Sequence, residues 1–100
     1  MADTATLTGM ITIISEGDGA HNITITVTNE AGATIATATA AVTTENGSGS
    51  GDYSISGLPA VYCNIKFTNP NLTTSTGSLT LSPSKANNMD ATMSPKGLQF

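Results

Sequence analysis

Apolar and polar residues alternate along most of this chain, and no stretch sustains a helical repeat. Residues 23–28, Ile-Thr-Ile-Thr-Val-Thr, are the clearest case. Strict alternation puts Ile23, Ile25 and Val27 on one face and three threonines on the other, which predicts a strand with one buried and one wet face. Threonine, β-branched and polar, suits the wet face. The same period predicts strands over residues 7–14, with Leu7, Ile11 and Ile13 together, and over 34–44, where Ala36, Ala38 and Ala40 oppose Ile35, Thr37 and Thr39. Alanine-rich runs favour helix by propensity, but the interleaved threonines point to strand. Further strands are predicted over 52–56 (Tyr53, Ile55), 61–68 (Val61, Cys63, Ile65, Phe67), 75–82 (Leu79, Leu81) and 88–94 (Met89, Ala91, Met93).

Turn residues separate these runs. Gly17-Asp18-Gly19 follows the first, and Asn29-Glu30-Ala31-Gly32 predicts a tight hairpin between the second and third. The Asn46–Gly51 run of asparagine, glycine and serine reads as a flexible loop. Gly57-Leu58-Pro59 and Asn69-Pro70-Asn71 read as corners. Seven short strands at this spacing predict a seven-stranded antiparallel β-sandwich. The expected division is an N-terminal arm over residues 1–6, one β-sandwich domain over 7–95 and a tail over 96–100.

Composition narrows the function. Only 10% of the 100 residues are charged, and the polar surface must come from 18 Thr, 10 Ser and 8 Asn. Seven acidic against three basic residues give a net charge of −4, which argues against nucleic acid, because phosphate binding needs clustered Lys and Arg. A single cysteine excludes an intrachain disulfide and a cysteine-rich zinc site. The start, Met1-Ala2-Asp3-Thr4-Ala5, has no basic segment followed by an apolar one, so no secretory leader is expected. The longest apolar-rich stretch, residues 10–14, is far short of the roughly 20 residues that span a bilayer as a helix, and no membrane role is expected. Two accounts fit the start: a complete small protein made in the cytosol, or a module excised from a longer secreted protein. Asn-x-Ser/Thr sequons at Asn22, Asn46 and Asn71 are expected by chance in such a composition.

The run Gly51-Asp52-Tyr53-Ser54-Ile55-Ser56-Gly57-Leu58-Pro59-Ala60, followed by Ile65-Lys66-Phe67, resembles the carboxypeptidase regulatory-like domains. These are transthyretin-like seven-stranded sandwiches marked by a Gly-x-Tyr-x-Ile-x-Gly-Leu-Pro-Ala segment. Gly9, Ile23, Ile25, Gly32 and the Thr43–Gly47 stretch fall in the matching order, so the resemblance covers roughly residues 7–95. Val61 and Cys63 stand where the family usually has glycine and tyrosine, which implies that Cys63 faces the core and Tyr62 points outward. The Gly47–Gly51 stretch is longer than the family's usual turn. The resemblance implies a non-catalytic accessory module, of the kind found beside peptidases, in bacterial extracellular and cellulosomal proteins, in outer-membrane receptors and on virions. It brings no catalytic residues.

The chemistry-bearing residues are few. His21 is the only histidine; Asp18 and several serines lie near it in sequence, but no Gly-x-Ser-x-Gly elbow accompanies them. It reads as a loop histidine at a strand start, and no enzymatic activity is expected. Glu16, Asp18 and Asn22, with Asp52, are the one oxygen-rich set with calcium-type chemistry, but their spacing matches no calcium loop, and no metal or cofactor is expected. Cys63 is expected to be buried and inert. With no Trp and only Tyr53, Tyr62, Phe67 and Phe100 as aromatics, an exposed sugar platform is poorly supplied.

Tyr62, Leu98 and Phe100 are the candidate partner-binding residues. The tail ends in two apolar side chains that need somewhere to dock, on the domain's own flank or on a neighbour. Three lysines give the sheet edges little protection by charge, which fits strand addition or assembly contacts. The expected function is a non-enzymatic structural or interaction module on a virion surface, such as a head decoration or tail accessory subunit. Its partner would be a protein: a copy of itself, a capsid or tail protein, or a scaffold. The alternative is an accessory module of a bacterial extracellular or cellulosomal protein.

Overall fold

Buried and exposed residues alternate along most of the length of the long strands in the computed structural model, which describes residues 4–14, 19–83 and 87–95. The strands are β1 (Thr4–Ile14), β2 (Gly19–Asn29), β3 (Thr34–Thr44), β4 (Ser48–Pro59), β5 (Tyr62–Asn69), β6 (Leu72–Thr80), β7 (Asn87–Asn88) and β8 (Ala91–Met93), with no helix among the described residues. They form two sheets. One has the order β4-β1-β7, with β8 also on β1; the other has the order β3-β2-β5-β6. The inward faces meet in one core, built from Leu7, Ile11 and Ile13 of β1, Ile23, Ile25 and Val27 of β2, and Cys63, Ile65 and Phe67 of β5. The architecture is an all-β sandwich, as the alternation predicts.

The strand directions depart from the expected antiparallel pattern. β7 and β8 lie parallel to β1. β6 ends beside the start of β5, and Asn87 then pairs with Leu7 near the start of β1. A chain entering there runs along β1 in the same direction. The final strand is also split: β7 and β8 keep one register on β1 (Thr8 opposite Asn88, Ile11 opposite Ala91), but the ladder is broken between them.

Two stretches that read as loop or corner belong to β4. The turn from β3 is tight: Glu45 and Ser48 exchange backbone hydrogen bonds of 2.8 and 3.2 Å. Asn46 (φ 56°) and Gly47 (φ 93°) hold the two left-handed positions of a type I′ hairpin. Ser48 to Gly51 are therefore strand, and the glycines there permit contact instead of supplying slack. A Cβ on Gly49 would land on the Thr43 carbonyl, and one on Gly51 would press on the Ala41 carbonyl. The glycines let β4 leave β3 and cross to the other sheet at close range. Gly57 (φ 74°) is a bulge: β4 places Ser56 and Gly57 opposite Thr6 alone. The extra residue resets the alternation, so Leu58 faces the core with Tyr53 and Ile55.

Tyr53 ties the layers together. Its ring crosses the inner face of β1 at Gly9, its partner in the ladder, and its hydroxyl donates to the Met89 carbonyl. The same ring meets Phe67 of the opposite sheet edge-on, at 5.4 Å between centroids and 66° between planes. The Met89 carbonyl leans over Gly9 where any Cβ would sit. The break in the final strand is repaired from the other side: Asp90 Oδ1 accepts the Met10 N–H at 2.9 Å.

Asn87 secures the crossing between sheets. Its amide donates to the Thr6 carbonyl (3.0 Å) and the Ser82 carbonyl (2.9 Å), and its Oδ1 accepts the Ser82 N–H (2.9 Å). It is almost fully buried, so each of these bonds replaces water that cannot reach it.

Gly9→Ala should cost about 3 kcal/mol, because the new methyl collides with backbone that cannot swing aside. Urea unfolding would show the loss as a lower midpoint with an unchanged slope; a midpoint equal to wild type would contradict it.

Candidate interaction site

At the end of the sandwich where β5 begins, the chain turns sharply at Ala60. The Val61 N–H donates to the Pro59 carbonyl at 2.9 Å, and the Val61 carbonyl accepts from the Leu81 N–H at 3.0 Å and the Cys63 thiol at 3.4 Å. With its backbone held inward, Val61 turns its side chain out. Alternation then sends Tyr62 out and Cys63 in: Val61 and Tyr62 are each 43% exposed, while Cys63 is fully buried. Burial also pushes the Cys63 thiol pKa up, which keeps it protonated. Beside this pair stands the β2–β3 turn, shaped by Asn29, whose Oδ1 accepts the N–H groups of Ala31 (3.0 Å) and Ala33 (2.9 Å). Asn29, Glu30, Ala31, Val61 and Tyr62 line a shallow hollow. An aliphatic side chain, an aromatic ring with a hydroxyl and one carboxylate make a small anchor site for a protein surface.

The broad surface near Tyr62 is the outer face of sheet β3-β2-β5-β6. Thr24, Thr26 and Thr28 on β2 stand beside Thr37 and Thr39 on β3 and beside Asn64, Lys66 and Thr68 on β5. Lys66 is the one charged side chain on the strands of that face among the described residues. Some hydroxyls are held down by neighbouring strands: Thr28 Oγ1 donates to the Asn64 carbonyl and Thr68 Oγ1 to the Thr24 carbonyl, both at 3.4 Å.

The opposite outer face carries Met10 and Ile14, both more than two-fifths exposed. Met10 sits between Asp52, its ladder partner, and Asp90. Burial, with the Asp90 charge as a second cause, pushes the Tyr53 phenol beneath this face from its usual 10 to about 12.

The residues with candidate chemistry are dispersed. His21 is half-buried on β2, and its Nε2 lies 3.0 Å from Thr44 Oγ1, which donates onward to the Gly19 carbonyl at 3.3 Å. This pair fastens the ends of β2 and β3. Of the oxygen-rich set, Asn22 lies on β2 and Asp52 on β4, exposed on the outer faces of different sheets, so the structure does not bring these two together. Glu16 and Asp18 lie outside the described residues. No group of three His, Cys, Asp or Glu side chains that could hold a metal occurs among the described residues. Leu98 and Phe100 also lie outside the described residues, which leaves Tyr62 as the one candidate binding residue with an observed position. Sequence reasoning passes over Val61 as an exposed partner of Tyr62, because strand alternation counts it with the core; the Leu-Pro-Ala turn before it is the available signal. It also passes over Asn87, which carries no local signal.

No family model matches the chain, and no curated protein matches it.

The Tyr53 shift sets a pH dependence. The folded protein keeps this proton to higher pH than the unfolded chain does, so its contribution is whole below about pH 10 and is lost as pH rises to about 12. The loss should be about 2–3 kcal/mol. Urea midpoints of wild type and Tyr53→Phe, compared from pH 9 to 12, should converge as pH rises; parallel lines would contradict the assignment.

Proposed function

We propose that this chain is a non-enzymatic structural or interaction module of the transthyretin-like, carboxypeptidase-regulatory-like type, displayed on a larger assembly. The assembly we favour is a virion surface, with the chain as a head decoration or tail accessory subunit. The observation that carries this reading is the composition of the outer face of sheet β3-β2-β5-β6. Its strands are threonine-rich and almost free of charge, and it adjoins the exposed Val61–Tyr62 pair. Short neutral side chains lose little conformational entropy and need little desolvation when they meet another protein surface. The polar groups with reactive chemistry support the reading from the other direction, because His21, Tyr53 and Cys63 each have a structural partner.

The second reading, an accessory module of a bacterial extracellular or cellulosomal protein, draws on the Gly51–Ala60 segment, since such domains occur in both settings. Residues 96–100, with Leu98 and Phe100, add a second docking element in either case.

Quantitative mass spectrometry of purified virions from the source should find this chain in fixed ratio to a capsid or tail protein. Recovery only from cell-envelope or secreted fractions would favour the second reading over the first. Once the partner is in hand, Tyr62→Ala and Val61→Asp should each weaken binding at least tenfold, about 1.4 kcal/mol or more. Binding unchanged in both variants would remove this end of the sandwich from the interface. Hydrolysis of an ester or peptide by the wild type, lost in His21→Ala, would overturn the non-enzymatic reading altogether.

A further inference from the structure

The two flanks of sheet β3-β2-β5-β6 are closed to different extents. β6 is covered at its start: the Thr73 N–H donates to the Ser94 carbonyl at 2.7 Å, the Ser94 N–H donates to Thr73 Oγ1 at 3.2 Å, and Leu72 bridges to Pro95. β3 is covered at its far end, where Gly51 and Gly49 of β4 press on the Ala41 and Thr43 carbonyls. Before that point β3 pairs with β2 alone among the described residues. A bulge at Ile35 limits the free edge on its other side, since β3 passes from Ala36, opposite Val27, to Thr34, opposite Thr28. Among the described residues, the regular, uncovered window of β3 is therefore residues 36–40.

That window has none of the usual edge protection. It carries no charge and no proline, and the bulge lies beside it instead of within it. Behind it Ala36 and Ala38 are only half-buried, although they pack against the core. Its sequence is a palindrome, Ala36-Thr37-Ala38-Thr39-Ala40. An antiparallel strand pair related by a two-fold axis must place each residue opposite its mirror position, so a self-pairing edge must be compatible with its own reverse. With Ala38 on the axis, Thr37 of one copy stands opposite Thr39 of the other on the outer face. Ala36 stands opposite Ala40 on the inner face. Threonine pairs across strands are favourable, and no like charges meet. The ends of the palindrome coincide with the ends of the free window.

We propose that β3 pairs antiparallel with β3 of a second copy over residues 36–40, with Ala38 at the two-fold axis. This joins two four-stranded sheets edge to edge into one continuous sheet. A foreign strand would gain the same backbone bonds, but only a second copy accounts for the palindrome and its limits. The inference names a partner for the interaction module proposed above and rests on that reading. A chain that stays monomeric yet occurs in virions would overturn the pairing and leave the module reading standing.

Sedimentation velocity of the purified chain over a wide concentration range should show a monomer–dimer equilibrium. Thr37→Lys with Thr39→Lys puts lysines directly opposite each other across the axis. Both sites are exposed, so the fold should persist, checked by circular dichroism, while dimerisation weakens at least tenfold. Independently, Ala38→Cys with oxidised glutathione should give a covalent dimer, because residues on the axis of an antiparallel pair lie within disulfide reach. Ala41→Cys, exposed but off the axis, should not cross-link, and wild type should not, since Cys63 is buried. A monomer at every concentration would overturn the proposal. So would a dimer indifferent to the paired lysines, or open-ended polymers of the kind that β3-to-β6 pairing would make.

Discussion

The Tyr53 side chain is the element on which the arrangement of the two sheets depends. Its ring starts on β4, passes over Gly9 of β1 and ends at the Met89 carbonyl between β7 and β8, so one residue spans every strand position of its sheet. The same ring meets Phe67 from the other layer. Its path exists only because position 9 has no Cβ, and the carbonyl it reaches is available only because the final strand interrupts its ladder there. The interruption leaves Met10 in need of an acceptor, which Asp90 provides. The glycine, the tyrosine, the break and the aspartate are parts of one solution. In a chain with so few large side chains, that solution substitutes for the bulk that would otherwise hold the layers in register.

A second constraint is how this sandwich closes its sides with little charge. The β3–β4 hairpin seals one flank by letting glycine backbone lie on carbonyls, and the segment after β8 covers the start of β6 on the other. Both devices work only near the end of the molecule where β3 turns into β4. What remains open is short, neutral and rich in threonine, on a face where some hydroxyls are tied to neighbouring strands. Such a surface suits permanent neighbours better than transient charged ligands, which is why assembly is the reading we favour for this fold.

Much of the fold is legible in the residues themselves. β3 has the expected limits, and the placement of Tyr62 outside and Cys63 inside follows from alternation and from the Gly51–Ala60 segment. The failures have physical causes. Glycine reads as slack in the Asn46–Gly51 run, but Gly49 and Gly51 mark close backbone contact, and Asn46-Gly47 carries a hairpin signal of its own. Gly57 reads as a corner, whereas one extra residue in a bulge leaves a strand running and only shifts its phase. The parallel direction of β7 and β8 has no local signature at all, because it depends on which end of the sandwich the chain has reached when it changes sheets. The Tyr53–Met89 contact joins residues 36 apart and the Asn87–Thr6 contact residues 81 apart, so neither is visible to any short-range pattern. Of the candidate site, Tyr62 is legible and its neighbour Val61 is not, because strand periodicity alone cannot see that the Val61 carbonyl is held from within.

Native-state hydrogen exchange by NMR reads the hold of Tyr53 on the final strand, through the amides of residues 87–93 in wild type and in Tyr53→Phe. If Tyr53 holds the final strand in place, these amides exchange in wild type only through global unfolding, as those of β2 and β5 do. In the variant they should open separately, at a lower free energy than the β2 and β5 amides. If residues 87–93 remain as protected as β2 and β5 in the variant, something other than Tyr53 holds the final strand and joins the two sheets.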